Sequence, residues 1–263
     1  MKKILIIPLV PLKRVFFTIY KIISIIYKGF IWLIRSKEHT NFSFEIDEKN
    51  SRAMKQNLHH FLNLEEKQIQ PLIDFANTTE VNKKNYKSIF KTIDLDFRSK
   101  WDYRLIPFII VFATDINKVY ELGFDQGRLP LLISNHIHSN NIKGKKYIGV
   151  DFNTRKGILT SESNFVELHF EPVQDFLSNF KSPNELDNSL LVVSTHEKQS
   201  EDFIFDFLEG NLIQPKFIVS DEVGENSAYI KFVTKNNYEN ITFIFLDKLN
   251  FLEPLIIGLS KKI

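Results

Sequence analysis

The sequence predicts an α/β fold, a mostly parallel sheet with helices on both faces, and three stretches carry that prediction. Lys118–Gly127 reads as a short apolar strand that reaches Glu121, opens into a turn holding Gly123 and Gly127, and passes into a helix over Arg128–Ser139. Lys146–Asp151 is a second apolar run, one βαβ unit further on, and it ends on a carboxylate. Asn188–Ser194 carries a continuous apolar run, Leu190–Val193, the mark of a strand covered on both faces.

The first two stretches also carry chemistry. Gly123 has no Cβ, so its backbone can turn sharply and lie against a ligand, and Gly127 lets the following helix sit close to the strand. A carboxylate at the tip of the second strand, here Asp151, can accept hydrogen bonds from two ribose hydroxyls. Strand, glycine turn, helix and acidic strand tip together form a cradle for an adenosine-containing ligand.

Glu121-Leu-Gly-Phe-Asp-Gln-Gly127 resembles the first motif of the class I S-adenosylmethionine-dependent methyltransferases, in a Glu-x-Gly-x-x-x-Gly form, and Gly149-Val-Asp151-Phe-Asn resembles their second. More loosely, the likeness runs from about Asn41 to the C-terminus, towards small bacterial methyltransferases in which a helical segment precedes the core. The resemblance implies a Rossmann-like methyltransferase fold with a seven-stranded sheet, and S-adenosyl-L-methionine as cofactor. It implies further that Gly123 and Gly127 pack against the methionine part, that Glu121 helps hold the ammonium end, and that Asp151 holds the ribose. Phe170 and Glu171, after the third strand, would border the adenine.

With 263 residues there is room for one α/β domain and an added segment. Phe is common, at 25 residues, and Gly scarce, at 9, so the core is expected to be large and aromatic. The absence of Cys excludes a disulfide framework, a cysteine nucleophile and a thiolate metal site, and fits a cytoplasmic location. The net charge of +2 hides an asymmetry: residues 1–37 hold eight Lys and Arg and no acid, leaving 26 Lys and Arg against 32 Asp and Glu elsewhere. That body offers no basic excess for phosphates, which argues against a nucleic-acid partner.

The elements follow in order. Pro8 and Pro11 interrupt Ile4–Leu12 as a regular helix. From Val15 to Ile34 nearly every residue is apolar, and Arg14, Lys21, Lys28 and Arg35 recur every seven positions. On a helix this spacing drifts by about 20° per step, which makes one slowly winding cationic stripe. The segment 1–37 reads as a helix lying on an anionic membrane surface. A helix packed on protein and a spanning helix stay open, while no small-residue cleavage site follows to make it a signal peptide.

Residues 38–114 are expected to form a helical cap: one helix from about Asp47, a second begun by an Asn63/Glu66 capping box and running to about Ala76, a polar loop over Asn77–Lys87, and a third helix over Asp96–Ala113. Tyr103 and Arg104 match a Tyr/Arg-bearing helix ahead of the first motif in the family that the sequence resembles. The core, 115–263, continues past Asp151 with a strand over Asn164–Phe170, a turn and helix over Glu171–Phe180, and the buried strand Asn188–Ser194. A helix over Ser200–Glu209, stopped by Gly210, leads to a strand over Pro215–Ser220. A helix over Ala228–Lys235 and the strands Ile241–Leu246 and Leu255–Ser260 close the chain, the last two as an antiparallel pair.

In an open α/β sheet the site lies outside the carboxyl ends of the strands, which gathers Gly123, Asp151, Glu171, Thr195, His196, Asp221 and Glu222. His196 can act as base towards a hydroxyl acceptor, and Asp221 can orient acceptor or base. The acid that related proteins carry before this His is replaced by Ser194-Thr195, which speaks against a metal-assisted mechanism. His136 and His138, two apart on a helix, point to different faces and are not ligands to one metal.

The expected activity is O-methylation of a small-molecule or glycan-like acceptor near the membrane. The alternatives are a catalytically inactive, membrane-tethered binding module of the same fold and a nicotinamide-dependent oxidoreductase, which would want a denser glycine pattern. A chain lacking residues 1–36 is expected to remain in the supernatant when spun with anionic vesicles that carry down the full chain. Its co-sedimentation would contradict the membrane role of the head.

Overall fold

The computed structural model describes residues 48–78, 104–124, 127–152, 164–221, 223, 227–245 and 255–263. The basic head, residues 79–103 with Tyr103, and Glu222 lie outside the described residues. Among the described residues three helices, α1 (Glu48–Leu62), α2 (Glu66–Thr78) and α3 (Leu105–Ala113), precede the sheet. The chain then alternates: β1 (Lys118–Leu122), α4 (Arg128–Asn140), β2 (Lys146–Val150), β3 (Val166–His169), α5 (Val173–Ser178), β4 (Leu190–Val193), α6 (Lys198–Gly210), β5 (Phe217–Ser220), α7 (Ser227–Lys235), β6 (Tyr238–Phe245) and β7 (Leu255–Lys262). A 3₁₀ turn, Pro183–Leu186, leads into β4.

These strands form one seven-stranded sheet in the order β3-β2-β1-β4-β5-β7-β6. The first five are parallel, and β7 runs antiparallel to both β5 and β6. Every residue of β4 and β5 is buried, as continuous apolar strands covered on both faces must be. Strand order reverses direction between β1 and β4, so the crevice for a ligand opens beyond the carboxyl ends of those two strands.

One histidine of the first crossover helix gathers the aromatic side chains of the helical segment. His136 of α4 sits with its ring centroid 4.5 Å from Phe75 of α2, and 5.3 and 4.4 Å from Phe108 and Phe112 of α3. Edge-on aromatic contacts of this kind add to simple burial. α3 reads Leu-Ile-Pro-Phe-Ile-Ile-Val-Phe-Ala and is buried from Leu105 to Val111, as a helix apolar all round must be. Lys145 donates its ammonium to Val111 O in the last turn of α3 at 2.9 Å, and to Ile116 O in the loop beyond it. α1 to α3 and the sheet fall within one compact unit, Ser43–Ile263.

Helix ends depart from the sequence expectation. Asn63 is not the cap of α2: it takes a left-handed φ of 54° at the end of α1, and Leu64 N–H closes on His59 O at 3.2 Å. The capping position is Glu65, whose N–H donates to Gln68 Oε1 at 2.8 Å. α2 also continues through Asn77 and Thr78, which the sequence reading gave to a loop.

Nor does Gly210 stop α6. It is the last helical residue, and the left-handed position falls on Leu212, with φ 56°. Ile213 N–H then bonds Leu208 O at 2.9 Å. α4 ends in the same closure, with Asn141 left-handed and Ile142 N–H on Ile137 O at 3.1 Å. In α6 the closure brings two buried apolar side chains, Leu208 and Ile213, onto one end of the helix, which offsets the strain of a left-handed leucine. Among the described residues no helix is long and apolar enough to cross a membrane.

Burial lowers the pKa of His136. The unfolded chain, at about 6.5, therefore takes up the proton first, so the stability held by neutral His136 is complete above about pH 6.5 and is lost as pH falls towards the folded value. His136→Phe is expected to lose less stability between about pH 7 and 5.5 than the parent in urea titrations, and His136→Ala to be less stable by roughly 2 kcal/mol. An equal pH response in parent and His136→Phe would contradict the assignment.

Candidate active site at the carboxyl edge of the sheet

Four backbone hydrogen bonds run in a row past the strand ends. Asp151 N–H donates to His169 O at 3.0 Å, Gly123 N–H to Val150 O at 2.8 Å, Ser194 N–H to Leu122 O at 2.8 Å, and Asp221 N–H to Val193 O at 3.2 Å. Each extends a parallel pairing by one residue beyond the assigned strand. Asp151, Gly123, Ser194 and Asp221 thus stand side by side on β2, β1, β4 and β5, which brings together the residues the sequence singled out from distant positions.

Gly123 sits at φ +91°, where a side chain is strained. A Cβ there would also lie 2.6 Å from the carbonyl carbon of Ser194 and 2.9 Å from Thr195 N. The close approach that demands glycine is therefore made by the neighbouring strand's own backbone. Gly127, at φ +70°, caps α4, and its N–H closes the turn on Phe124 O at 2.8 Å.

Glu121 is fully buried on β1, two residues before Gly123. Tyr147 of β2 donates its hydroxyl to Glu121 Oε2, and Arg104 Nε lies 4.0 Å from Oε1. Burial, then the Glu121 carboxylate, pushes the Tyr147 hydroxyl well above its usual pKa, so it stays a donor. Tyr147 was missed in the sequence because it counts as one more apolar strand residue.

On the other side of Asp151 stand two exposed aromatic residues, Phe152 after β2 and Phe170 after β3. Phe170 meets buried Phe124 at 5.9 Å, nearly edge-on. Glu171 turns towards His169, with Oε1 3.4 Å from Nδ1, while Glu167 holds the other ring nitrogen at 2.7 Å. Lys146 bonds the same Glu167, and that contact first, then His169, holds its carboxyl below the usual range.

His196 and Asp221 meet beyond β4 and β5. His196 takes a left-handed φ of 54°, and its Nε2 lies 3.5 Å from Asp221 Oδ2, the imidazole 51% exposed and the carboxylate 1%. A buried carboxylate facing a half-exposed imidazole is the arrangement that orients a base while leaving it open to substrate. The same Asp221 oxygen accepts from Ser194 Oγ at 2.6 Å. Thr195 Oγ1, between these two residues in sequence, is buried without a hydrogen-bond partner. Among the described residues no cluster of His, Asp and Glu could hold a metal ion.

No protein-family model and no curated protein matches the chain. Solved structures do. The CurJ carbon methyltransferase matches with a TM-score of 0.38 at 11% identity, over 61% of this chain and 54% of that one. The TrmK of M. capricolum, in complex with S-adenosyl-homocysteine, matches with a TM-score of 0.39 at 12% identity, over 57% and 63%. The Dnmt2 methyltransferase of S. pombe matches with a TM-score of 0.38 at 15% identity, over 55% and 49%. The chain spans about half to two-thirds of the length of these structures.

Two substitutions test the packing of the turn. Gly123→Ala has to adopt an unfavourable φ and displace the Ser194 backbone, and is expected to cost at least about 2 kcal/mol in denaturant titration. Thr195→Val removes an uncompensated hydroxyl at nearly constant shape and is expected to leave stability unchanged or raise it. The reverse order would contradict the geometry.

Proposed function

We propose that the chain is a class I S-adenosylmethionine-dependent methyltransferase whose base is His196. The observation that carries the reading is the bond from Gly123 N–H to Val150 O, which sets the glycine turn directly beside Asp151. A nucleoside lying across the β1 and β2 tips would meet a glycine backbone on one side and a buried carboxylate on the other.

The residues present suit S-adenosyl-L-methionine. Asp151 would accept from the ribose hydroxyls, the Gly123–Gly127 turn would lie under the methionine part, and Glu121 would face its ammonium end from below. Phe170, with Glu171 at its flank, would border the adenine. When bound, that cofactor supplies an electrophilic methyl on a sulfonium that leaves as a neutral thioether. The protein's own work is alignment, exclusion of water and one proton transfer. His196 Nδ1 would take the proton of the acceptor hydroxyl as its oxygen attacks the methyl, and Asp221, facing Nε2, would hold the ring in place.

We read the acceptor as a small molecule or a glycan-like compound at an anionic membrane surface, reached through the basic residues 1–37, with the protein on the cytoplasmic face. The acidic excess of the remaining chain supports this over a nucleic acid.

Titration calorimetry with S-adenosylhomocysteine is expected to show one site, weakened at least tenfold in Asp151→Ala and unchanged in His196→Gln. His196→Gln is expected to lose about 10²–10⁴ in turnover of a hydroxyl acceptor. Equal heats in parent and Asp151→Ala would remove the cofactor reading. Binding without turnover over a panel of hydroxyl acceptors would point to the inactive binding module.

A further inference from the structure

We propose that Ser194 is the positioning residue of the His196–Asp221 pair and couples it mechanically to the glycine turn. The inference rests on the reading of His196 as base. Ser194 is buried and its backbone is held twice: its N–H bonds Leu122 O at 2.8 Å, and its carbonyl lies under Gly123, where a Cβ would be only 2.6 Å from the carbonyl carbon. From this held main chain the hydroxyl reaches across to the tip of β5. It donates to Asp221 Oδ2 at 2.6 Å, the short distance of a charge-assisted bond.

That oxygen is also the one facing the imidazole, 3.5 Å from His196 Nε2. Ser194 therefore does two things to the carboxylate. It fixes the rotation of Asp221, and it takes a share of the charge on Oδ2, so the ring is kept at ion-pair distance instead of being drawn into a close bond. The cofactor turn and the aim of the base thus hang on one residue: its backbone forms the wall behind Gly123 and its side chain sets Asp221. The polar pair Ser194-Thr195, standing where an acid was expected, has a specific use in this arrangement.

The test is the titration of His196 in the full chain, followed by ¹H–¹³C NMR of the imidazole, with the resonance assigned by its loss in His196→Gln. Ser194→Ala frees Oδ2 to close on the ring and is expected to raise the His196 pKa by about half a unit to one unit, with the acidic limb of kcat/KM moving by the same amount. Ser194→Cys, similar in volume and a weak donor, gives the same rise and serves if the alanine variant does not fold. Ser194→Thr keeps the hydroxyl and is expected to titrate as the parent does. Asp221→Asn lowers the pKa. An unchanged His196 in Ser194→Ala and Ser194→Cys, with a shift in Asp221→Asn, would overturn the role of Ser194 and leave the base standing. No shift in Asp221→Asn would overturn the pair itself, and with it both readings.

Discussion

Everything at the functional edge depends on the row of backbone hydrogen bonds that continues the parallel ladder one residue past the strands, from Asp151 through Gly123 and Ser194 to Asp221. Parallel ladders are evenly spaced and each strand can be extended independently, so a site of this kind is only as well ordered as its last rung. Here four rungs agree. They place a carboxylate, a glycine, a hydroxyl and a second carboxylate in adjacent columns on strands from separate parts of the sequence. They also explain why Gly123 tolerates no side chain: the neighbouring column is a backbone with nowhere to move.

Beneath that row the structure buries charge in a paired form. Glu121 and Arg104 lie within ion-pair distance in the interior, and Tyr147 supplies a hydrogen bond to the carboxylate. Removing one partner from such a group leaves the others uncompensated, which costs more than the pair contributes. Arg104 introduces α3, so the helical segment and the first strand of the sheet are linked electrostatically as well as through the aromatic contacts of His136. Helix α3 is thereby tied to the strand that leads into the glycine turn.

How much of this was legible in the sequence follows from what each feature depends on locally. The glycine turn and Asp151 were legible because a strand's apolar run and its closing residues are contiguous. The seven strands were found for the same reason, with β6 starting earlier and β7 ending later than their apolar cores suggested. Their antiparallel pairing appears as expected.

The rest depends on partners far away in sequence. Ser194 looks like the closing residue of a buried strand until β5 sets Asp221 against it, and Tyr147 looks apolar until Glu121 meets its hydroxyl. The contact of Glu171 with His169, 3.4 Å away, likewise follows from the fold of the strand end and not from any local pattern. The stops at Asn63 and Leu212 were misread because a left-handed end is decided by the apolar residue that follows it. Leu64 and Ile213 are both buried.

The central claim is that the tips of β1 and β2 together seat an adenosine whose sugar is gripped by Asp151. The most direct measurement is a crystal structure of the full chain grown with saturating S-adenosylhomocysteine. The account predicts both ribose hydroxyls within about 3 Å of the Asp151 carboxylate and the amino-acid part lying along the Gly123–Gly127 turn. A nucleoside bound elsewhere on the molecule, or bound at this edge with its sugar out of reach of Asp151, would contradict it.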